Sequence, residues 1–436
     1  MTSQSQPGHP KVTRVSFSYP DVPPLAIPDT NLMACLAPRV LEPSRPVADL
    51  VDEALDHPVA SPTLEALASP SSRVLILADD ITRQTPASEI LPSVLRRLEG
   101  SGVRRENIRV LIAAGTHTRM NPQEVERKLG ADVPKHYPVV IHHWRDEQNL
   151  REIGTTRDGT PVRIHRFLGE SDLVMGIGQI VPHRVMGFTG GSTIVQPGVS
   201  GAAVTGYTHW MSALYPGAEI LGIAENPVRK EVEEIARRAG LRFIVNVVMD
   251  GRACVLHVVA GDPVAAHREG ALLSRAVYGA EQPALADIVV AESYPADYDL
   301  WQAAKGIYAA ELAVRPGGVV VLLTPCPHGV SDEHPEVERL GYHGYAEVKA
   351  MVERREITDL VAAAHLVHVG RVIRDRAQGI MVSPGIGAAV QRQLGFRSAA
   401  SPEEAIELAF DVAGRQSQVV VLQQGGHVLP LVAQSE

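Results

Sequence analysis

Four stretches of this sequence set chemically competent side chains directly behind runs of Val, Ile and Leu. The first, Asp79-Asp80-Ile81-Thr82-Arg83-Gln84-Thr85-Pro86, follows RVLILA. Two adjacent carboxylates and a guanidinium can bind ribose hydroxyls, a phosphate or, through a bidentate fork, a substrate carboxylate. The same residues also suit a helix cap with a local salt bridge. The second stretch, Gly115-Thr116-His117-Thr118-Arg119-Met120, places a histidine able to exchange a proton near neutral pH just before Asn121-Pro122. Such a histidine can equally be a loop hydrogen-bonding residue.

The third stretch, GIGQIVPHRVMGFTGGSTIVQPGVSG at 176–201, has seven glycines around Pro182-His183 and Thr189-Gly190-Gly191-Ser192-Thr193. Glycine density of this kind lets backbone N–H groups approach an anion. It is not the dinucleotide fingerprint, because Val181 stands at the third glycine position, and no Gly-Lys-Ser/Thr of a Walker loop occurs. Shortly afterwards Thr208-His209-Trp210 adds an imidazole of the kind that binds nickel, zinc or copper. In the fourth stretch, 294–306, Gln302 and Lys305 are three residues apart and would share a helix face able to meet an anion. A solvated helix face is the plain alternative.

These residues need strands to present them. Short apolar runs at 73–80, 107–114, 139–144, 171–180, 242–249, 286–293, 317–324, 379–383 and 418–423 alternate with amphipathic stretches at 87–100, 121–130, 226–240 and 301–314. That rhythm predicts an α/β protein with mainly parallel sheets, whose ligands collect at the carboxyl ends of the strands. A break in HREGALLSRAVYGAEQPALADIVV predicts two domains, 1–278 and 279–416, with 417–436 able to complete either sheet.

Composition narrows the classes of function. With 41 Lys+Arg against 50 Asp+Glu the net charge is −9, which argues against nucleic acid as a partner and for a small ligand. No apolar run is long enough for a membrane span, and the first residues lack the apolar stretch of a signal peptide, so a cytoplasmic protein is expected. Three scattered cysteines, Cys35, Cys254 and Cys326, make neither a disulfide framework nor a zinc site. No Gly-x-Ser-x-Gly elbow supports a serine hydrolase. The pairs His142-His143 and His365/His368 read as histidines without a chemical role, and Cys326 as a buried small residue.

Taken together, Asp-Asp-x-Thr-Arg at 79–83, Gly-Thr-His at 115–117, the stretch from Pro182-His183 to Pro197-Gly198, Asn226-Pro227 and Gln302-x-x-Lys305 resemble the nickel-dependent lactate racemase family. The resemblance runs from about residue 15 to the C-terminus. It implies two α/β domains with the active site between them, and a nickel-pincer nucleotide: a pyridinium mononucleotide whose two sulfur-containing arms hold nickel together with a ring carbon and one histidine. Matched to this chain, His209 would bind nickel, Asp80 would contact the nucleotide, and Thr189, Gly190, Gly191 and Thr193 would lie along it. His117 and His183 would be the paired acid/base residues, while Arg83 and Lys305, helped by Gln302, would hold anions. The implied substrate is a 2-hydroxy acid, and cofactor-biosynthesis enzymes would act upstream.

One departure matters. Where family members that hold the cofactor covalently have a lysine two residues after Gly-Gly, this chain has Thr193, so the resemblance implies a nucleotide bound without a covalent link. The region 358–368 also lacks the tryptophan that family members tend to carry. Two other readings keep the same fold: a zinc- or iron-dependent lyase or hydratase with some of His117, His183 and His209 as ligands, and a non-catalytic nucleotide or sugar-acid binding protein.

Overall fold

The computed structural model describes residues 11–117 and 120–433; Thr118 and Arg119 of the second stretch lie outside them. The chain divides into two units. The larger comprises 39–278 and 349–365, and the smaller is made of 279–348 and 366–436 with the residues up to Pro38.

The larger unit is built on a six-stranded sheet. From edge to edge its strands are Val255–Gly261, Leu241–Met249, Leu173–Gln179, Val74–Asp79, Ile108–Ala113 and Val139–Ile141. All neighbours are parallel except Val255–Gly261, which turns back antiparallel. The central strands Val74–Asp79 and Leu173–Gln179 are buried at every residue, as helices on both faces of a parallel sheet require. One such face packs the helices Val47–Asp56 and Ala87–Gly100 through Leu55, Ile90, Val94 and Leu98 onto Val74, Ile76 and Ile108. The chain enters at Val74–Asp79, proceeds to Ile108–Ala113 on one side, and later returns to Leu173–Gln179 on the other. That reversal lies between Val74–Asp79 and Leu173–Gln179, and the carboxyl ends of strands at such a point are where open α/β sheets receive ligands.

The smaller unit has a wholly parallel sheet in the order Arg397–Ser398, Ala377–Val382, Val314–Leu323, Ala286–Glu292, Val419–Leu422 and Leu32–Leu36. This corrects the expected division of the chain. Residues 12–36 do not belong with the first domain: Leu32–Leu36 pairs with Val419–Leu422, and Asn31 is tied through its amide to the carbonyls of Arg415 and Ser417. The closing segment thereby completes the second sheet, and Leu429–Val432 pairs with Gly279–Gln282. No helix among the described residues is long and apolar enough to cross a membrane.

Candidate functional site

The stretch Asp79–Pro86 leaves the central strand of the larger unit as a loop whose shape is set by its two carboxylates. Asp80 is 1% exposed. Its Oδ1 accepts hydrogen bonds from the Thr82 amide at 2.7 Å and the Thr82 hydroxyl at 2.5 Å, and its Oδ2 lies 2.6 Å from His117 Nδ1. Burial alone would raise the Asp80 carboxyl, but the His117 ring, Arg83 and Thr82 together hold it well below the ordinary carboxylate range. An ionised carboxylate only accepts, so His117 Nδ1 is the donor and Nε2 is left as the proton-accepting nitrogen. Arg83 joins the same network, donating from its guanidinium to the Thr82 hydroxyl at 3.0 Å.

Asp79 faces the other way. Its carboxylate pairs with the buried Lys128 ammonium at 2.7 Å and accepts from the Thr85 hydroxyl. Burial pushes the Asp79 carboxyl up, against the pull of Lys128 and Thr85.

His117 sits on the loop after Ile108–Ala113, the neighbouring strand. Gly115 donates its N–H to the Gly198 carbonyl at 3.0 Å, which joins this loop to the end of the glycine-rich stretch. That stretch leaves Leu173–Gln179, the strand on the other side of Val74–Asp79. Pro182–His183 pairs antiparallel with Gly187–Phe188, and His183 is half-buried. The hairpin depends on glycine at 187, whose φ is +76° and where a Cβ would stand 1.9 Å from the Ile223 carbonyl oxygen. Thus Asp80, Arg83, His117 and His183 all follow three adjacent parallel strands at one edge of one sheet.

The glycine-rich loop is held from behind by three buried residues that sequence reasoning did not single out. Arg229 donates to the carbonyls of Met186, Phe188 and Gly190; His267 Nε2 lies 3.0 Å from the Thr189 carbonyl; Asn246 accepts from the Gly191 amide at 2.7 Å. Burial drives the Arg229 guanidinium down to about 9 and the His267 ring well below its usual range. The loop uses several of its own polar groups internally. The Thr189 hydroxyl donates to the Gln179 carbonyl at 2.7 Å and accepts from the Val181 amide at 3.0 Å. The half-buried Thr193 hydroxyl donates to the Gly190 carbonyl at 3.0 Å. Both carboxylate oxygens of Asp80, the residue expected to contact the nucleotide, are hydrogen-bonded, to Thr82 and to His117.

His209 lies on the helix Ala202–Ser212 that follows Gly201, half-buried, with Nδ1 2.8 Å from the Thr205 carbonyl. Since a carbonyl only accepts, Nδ1 carries the proton and Nε2 the lone pair, the tautomer a metal-binding imidazole needs. Among the described residues no three His, Cys, Asp or Glu side chains converge on a point that could hold a metal. One oriented imidazole does fit a metal whose other ligands arrive with a cofactor, and Thr193, having no amine, fits a cofactor that is not covalently attached.

Gln302 and Lys305 belong to the smaller unit, on the helix Leu300–Ala313 that follows strand Ala286–Glu292. Asp299 caps this helix by accepting from the Gln302 amide, and Lys305 Nζ donates to Gln302 Oε1 at 2.9 Å, so the two residues act as one polar unit.

The chain matches the model of the lactate racemase N-terminal domain over residues 21–220 and that of the lactate racemase C-terminal domain over 281–429. It is 31% identical to the lactate racemase of Thermoanaerobacterium thermosaccharolyticum over 289 residues, 65% of this chain and 67% of that one. It is 29% identical to the lactate racemase of Lactiplantibacillus plantarum over 395 residues, 86% of this chain and 89% of that one. The solved structure of the Thermoanaerobacterium thermosaccharolyticum lactate racemase apoprotein superposes with a TM-score of 0.84 at 25% identity, covering 97% of this chain and all of that one. A Thermotoga maritima protein shares the fold, with a TM-score of 0.72 at 22% identity over 90% of this chain and all of that one.

Proposed function

Because the chain belongs to the lactate racemase family, and is a racemase by that membership, we propose that it inverts the carbinol carbon of a 2-hydroxy acid using a non-covalently held nickel-pincer nucleotide. The observation that carries this reading is the Arg83–Thr82–Asp80–His117 network, set at the reversal point of the sheet in the unit that also holds His183 and His209.

Removing the carbon-bound hydrogen of a 2-hydroxy acid as a proton would place a second negative charge beside a carboxylate; removing it as hydride avoids that. When bound, the nucleotide would supply an electron-poor pyridinium–nickel centre suited to reversible hydride transfer. His209 Nε2 would be the protein's ligand to nickel, and the backbone of Thr189, Gly190 and Gly191 with Thr193 would line the nucleotide. His117, held by Asp80 through Nδ1, takes the hydroxyl proton from one enantiomer at Nε2. His183 does so for the other, whose hydroxyl points elsewhere. Arg83 fixes the substrate carboxylate so that the planar keto acid turns over without leaving, and Lys305 with Gln302 holds a further anionic group. Cofactor-biosynthesis enzymes upstream would load the protein, which we place in the cytoplasm.

The test is loss of optical purity in a panel of single-enantiomer 2-hydroxy acids, using protein made in a host that synthesises the cofactor. His183→Ala with nickel and nucleotide retained should abolish interconversion. Turnover close to that of the parent in such a loaded variant would reject the assignment.

A further inference from the structure

We propose that Lys128 is a positioning residue for Arg83, a strut that fixes the arginine loop relative to the histidine loop. The inference rests on the reading of Arg83 as the carboxylate-holding group. Lys128 lies in the last turn of the helix Pro122–Leu129, which begins directly after the His117 loop at a capping box formed by Asn121 and Glu124. It is 4% exposed, although it stands on a short polar helix. Its ammonium donates to the Arg83 carbonyl at 2.9 Å and the Thr85 carbonyl at 3.0 Å, and forms an ion pair with Asp79 Oδ1 at 2.7 Å. Thr85 in turn donates its hydroxyl to Asp79 Oδ2.

The loop is therefore clamped on both sides of Gln84, and the main chain of Arg83 itself is one of the clamped points. The same helix continues from the segment that carries His117, so one side chain ties the two loops together. Burying an ion pair is a poor route to stability, because desolvation offsets most of the attraction and a well-packed apolar pair would serve as well. What an apolar pair cannot supply is a cation whose N–H groups hold two backbone carbonyls in register while it is paired with a carboxylate. The guanidinium's bond to Thr82, one residue from the clamp, transmits that register to the Asp80–His117 pair.

Four variants test the proposal: Lys128→Gln and Asp79→Asn/Lys128→Gln, in the second of which the buried pair is neutral and folding is protected, with Arg83→Lys and Arg83→Lys/Lys128→Gln. In protein without substrate, hydrogen exchange in the peptide spanning 80–87 should rise about tenfold in either Lys128 variant, with Leu173–Gln179 and Leu241–Met249 as protected as in the parent. In loaded enzyme Lys128→Gln should raise KM for a 2-hydroxy acid about tenfold with a smaller loss in kcat. In the Arg83→Lys background it should change KM less than about twofold, because its effect passes through Arg83. Exchange that increases across the whole unit, or KM effects that multiply independently in the double variant, would overturn the proposal. Should the enzyme prove inactive on every hydroxy acid, the reading of its function fails, while the exchange measurement still decides whether Lys128 holds the loop.

Discussion

His117 Nδ1 lies 2.6 Å from Asp80 Oδ2, and the other oxygen of that carboxylate is anchored by the Thr82 amide and hydroxyl. The pair fixes both the orientation of the imidazole and the nitrogen it presents. Asp80→Asn keeps the shape of the loop but can stabilise the wrong tautomer. We expect kcat/KM to fall by about 10² to 10⁴ with an unchanged fold, measured as racemisation rate and circular dichroism. Asp80 also carries a pH signature. Its folded carboxyl is depressed, so the stability it contributes is complete above the unfolded value and is lost as acid is added through the folded one. Asp80→Asn should accordingly flatten the acid limb of the stability profile; an acid limb identical to that of the parent would contradict the pairing.

A second pH prediction concerns a buried histidine outside the proposed chemistry. His142 Nε2 donates to the Ser200 carbonyl at 3.1 Å, and burial drives its ring down to about 3. Between about pH 6.5, the ordinary histidine value, and the folded value, the unfolded chain binds a proton that the folded chain refuses. Stability therefore declines as pH falls through that window. His142→Gln, which keeps an N–H for the Ser200 carbonyl, should show a shallower decline in urea midpoint from pH 7 to pH 4. An equal slope in parent and variant would show that His142 is not charged on unfolding.

Arg229 offers a stability test. It supplies donors to three carbonyls of the glycine-rich loop, at Met186, Phe188 and Gly190, from a fully buried position. Arg229→Met should remove the side-chain donor to the Phe188 carbonyl and one of the donors to each of the Met186 and Gly190 carbonyls, and destabilise the protein by about 2–4 kcal/mol in urea unfolding. A loss below about 1 kcal/mol would mean that the loop finds other donors.

Position 193 tests how the nucleotide is held. Thr193 is half-buried at the turn Gly191–Ile194, so a longer side chain has room to leave the loop. Thr193→Lys, made in a cofactor-competent host, should retain part of the nucleotide as a covalent adduct in the intact-protein mass spectrum, whereas the parent shows the bare polypeptide. A lysine variant that releases all its nucleotide would place this position away from the reactive arm.

Much of this architecture is written in local pattern. Val74–Asp79 and Leu173–Gln179 are apolar throughout because both faces are covered, and polar residues immediately after them mark the ligand edge of a parallel sheet. The Asp80, Arg83, His117 and His183 loops could be found that way. Leu32–Leu36 could not: it is a half-exposed strand at the edge of the sheet, and its partner Val419–Leu422 lies near the other end of the chain. Lys128, Arg229 and His267 were equally hidden. Each stands on an amphipathic helix where charged residues usually face water, and periodicity does not tell which of them is turned inward to meet a loop carbonyl. The engagement of the Thr189 hydroxyl within its own loop is likewise a matter of three-dimensional closure, invisible in the run Thr-Gly-Gly-Ser-Thr.

The most direct measurement is mass spectrometry of protein purified from a cofactor-competent host, before and after denaturation, with nickel quantified alongside. The account predicts one nickel per chain, a sulfur-bearing pyridinium mononucleotide released on denaturation, a polypeptide of unmodified mass, and loss of both nickel and nucleotide in His209→Ala. Protein that carries no such nucleotide, or that keeps it bonded to the polypeptide after denaturation, would contradict it.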